Sequence, residues 1–140
     1  MKYKHLLSFV VLFIAYLFVG QLLFWEFHSY DVLTFNKPPL RIVTPQLHRG
    51  DRLFWEVDVT HKTNGIKVTV VRELQDGYIL NFPDVSYVTK IGRQAFTNSL
   101  IIPANVAPGN YRLSVDSIFH VNPIRDVTVS VVSEPFEILK

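Results

Sequence analysis

With 140 residues, the chain can form one domain of about 100 residues and one additional segment, but not two separate hydrophobic cores. Its formal net charge of +2 comes from Lys2 and Lys4 alone, because the rest of the chain carries twelve basic and twelve acidic residues. A neutral domain lacks the clustered positive charge that nucleic acid binding requires, and a chain without cysteine cannot form a disulfide, a thiolate metal site or a cysteine nucleophile.

The N-terminal segment has the features of a membrane anchor. The twenty residues from Leu6 to Trp25 carry no charge, and a helix of that length, at about 1.5 Å per residue, spans the roughly 30 Å hydrocarbon core of a bilayer. Basic residues precede this run and Glu26 follows it, so the positive-inside rule puts the N-terminus in the cytoplasm. We predict a single-pass protein in which residues 1–28 form a basic cytoplasmic tip and a transmembrane helix in contact with membrane lipid. Residues 29–140 then form a periplasmic or extracellular domain.

A cleaved signal peptide is the competing interpretation of this segment. Signal peptides usually have an apolar region of about 7–15 residues, followed by small residues at the cleavage site. The apolar run here is longer, and cleavage after Gly20 would put the bulky Phe18 where a small residue is required. The sequence therefore favours an anchor that stays attached.

From residue 29 onward, apolar and polar residues alternate over short segments, which is typical of β-strands. Every second residue is apolar in Arg52 to Thr60, where Trp55 is predicted to be a core residue, and in Arg125 to Val131. The same alternation runs from Tyr111 to Val121, except that Ser117 takes one apolar position. Turn signals separate the apolar runs, at Asn64-Gly65, Gln75 to Gly77, Pro103, Pro108-Gly109 and Asn122-Pro123. With no helical pattern between the strands, this layout indicates an all-β, antiparallel sandwich of about seven strands behind one transmembrane helix.

Two proline-containing segments give a weaker pattern. Pro38, Pro39 and Pro45 favour extended chain, so we expect a tether and a first strand there. Beyond Pro83 the alternation becomes shorter, and the segments from Val85 to Gly92 and from Phe96 to Pro103 are the next strand candidates.

The order P-x-x-x-x-P-G-x-Y-x-L-x-V, from Pro103 to Val115, resembles the corner between strands E and F of immunoglobulin-like domains. The resemblance implies that Pro108 and Gly109 turn the chain and that the hydroxyl of Tyr111 bonds back to the chain upstream. Leu113 stands where antibody domains have a disulfide cysteine. The resemblance therefore implies an immunoglobulin-like sandwich without a disulfide.

The whole layout also resembles small single-span membrane proteins predicted from tailed-bacteriophage genomes, in which an immunoglobulin-like domain follows the anchor. The C-terminal stretch VNPIRDVTVSVVSEPFEI, residues 121–138, is part of that resemblance. It implies a bacteriophage origin and a domain that faces the periplasm and acts on the host envelope.

Glu56, Asp58 and His61 are the one group that suggests metal chemistry. Two carboxylates and an imidazole on a single strand could bind a metal ion and support a small metal-dependent enzyme. However, both carboxylates lie on the polar side of an amphipathic strand, where solvated charges are expected. We therefore predict no metal site and no cofactor.

Other candidate motifs give no activity. Arg49-Gly50-Asp51 matches the triplet of integrin ligands, but Gly50 before a strand is what a turn requires. His28 with Asp31, and the outward-facing His120, are expected to be ordinary surface groups. The serines lack a G-x-S-x-G elbow and no phosphate-binding glycine loop is present, so we predict no catalytic residue and no enzyme.

Three apolar residues on otherwise polar strand faces, Phe54, Ile118 and Val132, are the candidates for contact with a partner. They support the hypothesis of a membrane-anchored, non-catalytic protein-binding module whose partner is another envelope or membrane protein. No small-molecule substrate is evident. A structural subunit of a virion or envelope assembly is the alternative, and a small metal-dependent enzyme is the third hypothesis.

Overall fold

The computed structural model describes residues 2–36, 40–76 and 79–140, with side chains from Leu6 onward. Pro38 and Pro39 of the predicted tether, and Gly77 of the predicted turn, lie outside the described residues. One helix, α1, runs from Lys2 to Phe27. Its segment from Leu6 to Phe27 is long and apolar enough to span a membrane, and its side chains are almost all exposed.

The part of the chain that the structure describes contains ten β-strands, of which seven have four or more residues. The three short strands are β1 (Leu33–Phe35), β2 (Arg41–Ile42) and β3 (Gln46–His48). The longer ones are β4 (Arg52–His61), β5 (Lys67–Gln75), β6 (Ile79–Val88), β7 (Gly92–Ile101), β8 (Gly109–Asn122), β9 (Arg125–Val132) and β10 (Phe136–Leu139). The predicted fold class, a β-sandwich behind one apolar helix, is confirmed.

The strands form two sheets. In the four-stranded sheet, β4 is central and pairs with β1 and β2 on one side and with β7 on the other. The six-stranded sheet has the order β3-β10-β8-β5-β6, and β9 also pairs with β8. All pairings are antiparallel except that of β10 with β3, which is parallel. Strands β6 and β7 are consecutive in the chain but lie at the edges of opposite sheets.

The predicted alternation on β4 and β8 positions the core. Leu53, Trp55 and Val59 on β4 are buried, as are Tyr111, Leu113, Val115 and Phe119 on β8. The main core cluster fills the end of the sandwich away from the helix, whereas a second cluster around Val32, Val68 and Phe119 lies at the helix end. Burial of these side chains supplies most of the free energy of folding.

Strand β6 contains an irregularity that the sequence pattern hides. Val70 of β5 pairs with Val85, but Arg72, two residues later, pairs with Phe82, so β6 has one extra residue there. Pro83 lies at this bulge, on an edge strand, where a missing N–H donor is tolerated. Because one extra residue reverses which side chains face inward, Val85 and Tyr87 point to the same side as Phe82. The weak alternation after Pro83 therefore belongs to one continuous strand.

Two turns follow the local rules. Gly65 has φ of 75°, in the left-handed region that favours glycine, and its amide donates to the carbonyl oxygen of Thr89 at 2.9 Å. Before β8, the hydroxyl of Tyr111 donates to the carbonyl oxygen of Ala107 at 2.8 Å. This is the bond back to the upstream chain that the immunoglobulin-like corner implies.

The turn between β8 and β9 contacts the C-terminal end of α1. The side-chain amide of Asn122 donates to the carbonyl oxygen of Trp25 at 3.2 Å. The guanidinium of Arg125 donates to the carbonyl oxygens of Glu26 and, at 2.7 Å, of His28. The last carbonyls of a helix have no partner within it, and a positive charge there is favoured by the helix dipole. The β-domain therefore caps the C-terminal end of α1.

Candidate functional site

The three residues predicted to contact a partner do not form one surface. Phe54, 37% exposed, lies on the outer face of the four-stranded sheet, because β4 points its odd-numbered side chains inward. Ile118 and Val132 lie on β8 and β9 of the other sheet and point away from its inner face. The two faces are on opposite sides of the sandwich, so a single partner surface cannot include all three residues.

The candidate metal group is also divided by the alternation of β4. Glu56 is exposed and Asp58 is on the same outer face, but His61 points inward, between the sheets. Among the described residues, no three side chains of the metal-binding types come together. The arrangement does not support the metal-dependent enzyme.

The expectation that Asp58 is a solvated surface charge is wrong. Asp58 is only 9% exposed, because the side chains of Arg93 and Asn36 cover it. Arg93 Nε donates to Oδ1 at 3.0 Å and its Nη2 donates to Oδ2 at 2.7 Å, while Asn36 Nδ2 donates to Oδ1 at 3.0 Å. The hydrogen bond and the charge of Asp58 raise the pKa of Arg93. Asp58 therefore has a structural role that links β4 to β7 and to the chain after β1.

The other motifs form local structure. In the triplet Arg49-Gly50-Asp51, Gly50 has φ of 88° and an Asp51 carboxylate oxygen accepts from the amide of His48 at 2.7 Å, so the triplet makes the turn before β4. His120 Nδ1 lies 2.8 Å from a carboxylate oxygen of Asp126, across the β8–β9 hairpin. These groups need no further function to explain their positions.

The feature that the sequence did not single out is a cavity of about 290 Å³ between the two sheets. Most of the side chains around it are apolar, and five are polar or charged. The apolar lining consists of Leu33, Phe35, Leu40, Trp55, Val57, Val59, Val70, Val85, Tyr87, Phe96, Val115 and Val131, and the polar lining of His61, Arg72, Gln94, Asn98 and Ser117. Ligand sites typically combine an apolar wall with a few polar groups in this way.

The cavity exists because the sandwich does not close along one side. Edge strands β6 and β7 belong to different sheets and have no ladder between them. Their inward side chains Val85 and Phe96 remain 47% and 39% exposed. The cavity therefore reaches solvent between these two strands, whereas the central strands β4 and β5 form its floor and roof.

His61 is the most deeply buried polar group of the cavity. Only 1% of the residue is exposed, and neither ring nitrogen has a hydrogen-bond partner among the described residues. Its neighbours include the rings of Tyr87 and Phe119, at centroid distances of 5.9 and 6.2 Å. Burial lowers the pKa of His61 and raises the pKa of Tyr87, because both lose solvation of their charged forms. The imidazole is therefore neutral at pH 7.

Arg72 brings a positive charge to the same cavity. It follows Val68 and Val70 on the inward side of β5, two residues before the buried Leu74. Its Nη2 donates to the carbonyl oxygen of Pro83, at the bulge of β6. Its Nε is buried and has no hydrogen-bond partner within the described part of the chain. Arg72 as a whole is half-buried, and a charged side chain on the inner face of a sandwich is unusual because charged residues mostly lie on the outside.

The sequence contained a signal for this site. Arg72 continues the alternating apolar positions of Val68, Val70 and Leu74 on one face of its strand. His61 continues the alternating apolar positions of Leu53, Trp55, Val57 and Val59. Polar residues at core positions are the informative exceptions to an alternating pattern. What alternation could not indicate is that both residues line the same space.

Comparisons with known proteins support the fold alone. No protein-family model matches the chain, and no curated protein matches it. Among solved structures, the C-terminal domain of wzt is similar with a TM-score of 0.54 and 11% identity, over 80% of this chain and 76% of that chain. A Niemann-Pick type C2 protein from Japanese carpenter ant has a TM-score of 0.51 and 10% identity, and the match covers 80% of this chain and 96% of that protein. The CARDB domain of the PF1109 protein from Pyrococcus furiosus has a TM-score of 0.40 and 11% identity, and the match covers 80% of this chain and 99% of that domain.

Proposed function

We propose that this chain is a single-span membrane protein whose β-sandwich is a non-catalytic binding domain on the non-cytoplasmic side, with a site for an apolar ligand between its sheets. The observation that carries the proposal is the cavity of about 290 Å³ with its largely apolar lining. The two domains with similar folds share no more than 11% identity with this chain, so their similarity does not identify the ligand.

The size of the cavity argues that it has a use. A sealed core void costs about 24 cal/mol per Å³, or about 7 kcal/mol for this volume, and the opening of this cavity to solvent between β6 and β7 lowers that cost. The net stability of a whole domain is about 5–15 kcal/mol. A sequence selected only for stability would fill the space, for example with a larger residue at Val57. The chain instead keeps small β-branched side chains, Val57, Val70 and Val115, around it.

The location of the domain at a membrane surface is supported by the helix end. Asn122 and Arg125 bond the last carbonyls of α1, so the end of the sandwich with the β8–β9 turn faces the anchor. At that end, Ile124 is 48% exposed and Ile91, in the turn between β6 and β7, is 68% exposed. Exposed apolar turn residues beside a membrane anchor favour contact with the lipid interface. The side of the membrane follows from Lys2 and Lys4 alone.

An apolar probe tests the cavity. The full-length protein in phosphatidylcholine nanodiscs is titrated with the neutral fluorophore N-phenyl-1-naphthylamine, with nanodiscs alone as the blank. Val57→Phe fills the cavity and should abolish the saturable signal, whereas Val132→Phe makes the same change on the outer face of β9 and should preserve it. Equal binding by both variants would refute the proposed site. Protease access to a C-terminal tag in right-side-out membrane vesicles tests the orientation.

A protein partner is the second candidate function, and one local observation favours it. On the outer face of the four-stranded sheet, Val43 lies beside Phe54, because the amide of Val43 donates to the carbonyl oxygen of Phe54 at 2.9 Å. Ile101 of β7 pairs with Arg52, which precedes Phe54 by two residues on β4 and lies on the same face. Val43, Phe54 and Ile101 are all exposed, so they form a small apolar patch. A photo-crosslinking amino acid at position 54 should capture one envelope or membrane protein in cells, and Ile101→Glu should prevent it. The same label at position 132 is the control, and equal capture from both positions would contradict a patch-specific partner.

A further inference from the structure

We propose that the ligand of the inter-sheet cavity is an anionic amphiphile, whose acidic head group binds Arg72 and whose alkyl tail lies among the apolar side chains between the sheets. This inference deepens the proposed function and rests on it. The shared chemistry is that of an alkyl carboxylate or an alkyl phosphate.

The charge of the cavity is the first argument. Among the described lining residues Arg72 is the only one ionised at pH 7, and no carboxylate lines the cavity. No acidic side chain forms an ion pair with it in the described part of the chain. Arg72 is half-buried, a guanidinium keeps its charge in proteins, and partial burial among apolar side chains without a counter-charge is unfavourable. An anionic head group would supply the missing counter-charge.

The geometry of Arg72 is the second argument. One nitrogen of the guanidinium is used, because Nη2 donates to the carbonyl oxygen of Pro83, and this bond holds the side chain against β6. The buried Nε–H is left without an acceptor. Nε–H and one N–H of Nη2 share an edge of the guanidinium, and such an edge can bind two oxygens of a carboxylate or phosphate side by side. The bulge at Pro83 thus holds the guanidinium at the cavity wall, where the described residues leave Nε–H without an acceptor.

His61 gives an independent indication that the cavity holds a polar group. Buried polar side chains nearly always have a hydrogen-bond partner, yet both nitrogens of this imidazole lack one and the residue is 99% buried. A neutral imidazole has one donor and one acceptor. A hydroxyl or ester oxygen of the ligand could use either. Because the ring is uncharged, it does not compete with Arg72 for the anion.

The volume limits the length of the tail. An engineered cavity of about 150 Å³ holds one benzene molecule, and the cavity here has about 290 Å³. A medium-length alkyl chain is therefore the appropriate size, and it can enter between β6 and β7, beside Val85 and Phe96. Each additional methylene buried should increase the affinity about fourfold, until the cavity is full.

The binding experiment uses the full-length protein in phosphatidylcholine nanodiscs. The chain has two tryptophans, so Trp25→Phe leaves Trp55, which lines the cavity, as its only tryptophan, and nanodiscs without the protein supply the fluorescence background. The probes are decanoate and decyl phosphate as free anions, with decanol and decyltrimethylammonium as neutral and cationic controls. A second arm adds dioleoylphosphatidic acid to the nanodisc bilayer. It distinguishes a head group supplied by membrane lipid from a free amphiphile.

We expect saturable changes in Trp55 fluorescence with the anions. The affinity for decanol should be about 10–100-fold weaker than for the anions, because decanol cannot form the charged hydrogen bond with Arg72. Arg72→Gln should remove the preference for the anion. Arg112→Gln, which makes the same change at an exposed position of β8, should leave it intact. Because Arg72→Gln could also affect folding, circular dichroism and the melting temperature are measured for both variants. Val57→Phe, which keeps Arg72, provides the second test and should block all probes.

The outcomes separate the two proposals. If decanol and decanoate bind equally and Arg72→Gln changes nothing, the head-group assignment is wrong while the apolar site stands. If only decyltrimethylammonium binds, the assignment is also wrong. If no probe binds, or Val57→Phe leaves binding unchanged, the apolar site itself is refuted, and the anionic ligand with it.

Discussion

The hydroxyl of Tyr111 and the carbonyl oxygen of Ala107 form a 2.8 Å hydrogen bond that closes the corner before β8. Tyr111 is 8% exposed, and its ring packs near Phe136 of β10, so the bond ties the corner to the main core. Burial raises the pKa of the Tyr111 hydroxyl, with a further contribution from Asp76. The hydroxyl therefore remains a donor over the physiological pH range.

Removal of that hydroxyl should destabilise the domain. In Tyr111→Phe the ring and its packing stay, but the hydrogen bond is lost, and we expect the free energy of unfolding to fall by about 1 kcal/mol. For a domain of this size that corresponds to a melting temperature lower by roughly 4 °C. Tyr87→Phe is the control, since the hydroxyl of Tyr87 makes no hydrogen bond with the described residues. Equal melting temperatures for wild type and Tyr111→Phe would argue against a stabilising corner.

Asp58 should matter more for stability than its neighbour Glu56, two residues away on the same face of β4. Asp58 accepts three hydrogen bonds from Arg93 and Asn36 and is buried, whereas Glu56 is exposed and lies 3.7 Å from Arg41. Asp58→Ala is expected to lower the melting temperature by several degrees, and Glu56→Ala to have little effect, since exposed ion pairs contribute little. Similar losses from both substitutions would show that the network around Asp58 adds no stability.

The stability of the domain should fall in mild acid because of His61. The unfolded state takes up a proton near pH 6.5, but the lowered pKa of the buried imidazole keeps the folded state neutral. Below pH 6.5 the unfolded state therefore binds more protons, and the free energy of unfolding decreases as the pH falls. The rings of Tyr87 and Phe119 are neighbours of the imidazole and Arg72 lines the same cavity, and none of the three carries a negative charge that would pair with an imidazolium.

His61→Leu should reduce the change in the free energy of unfolding between pH 7.5 and pH 5, which is measured by urea unfolding at each pH. His48→Gln, at an exposed position, should leave it unchanged. A pH dependence that persists in His61→Leu would assign it to other groups.

The contacts of Asn122 and Arg125 should restrain the anchor relative to the domain. Because the chain has no cysteine, two spin labels can be attached at introduced cysteines, one at Ile14 in α1 and one at Thr97 on β7. The distance distribution in nanodiscs should broaden in Asn122→Ala/Arg125→Ala, since the helix carbonyls lose their side-chain donors. Arg49→Ala, at the opposite end of the sandwich, should give the wild-type distribution. An unchanged width in the double variant would indicate that the junction imposes no orientation.

The folding pattern was predictable wherever it depends on residues close together in the chain. The apolar run from Leu6 to Trp25 indicates a span whatever follows it, because length and hydrophobicity are local properties. Period-two alternation correctly assigned the inward faces of β4 and β8, and Asn64-Gly65 marked a turn because glycine tolerates a positive φ. These features would be the same in many sandwiches.

The site depended on contacts between residues far apart in the chain. The sequence predicted a solvated Asp58, but in the structure Asn36 and Arg93, which are 22 and 35 residues away in the chain, cover it. The bulge at Pro83 restores the inward positions of Val85 and Tyr87, and no local pattern announces it. The sequence by itself determined an apolar span and a set of two-faced strands. Only the tertiary structure decided that β6 and β7 stay apart, because strand pairing depends on the whole sheet, and that Arg72 and His61 line the space between them.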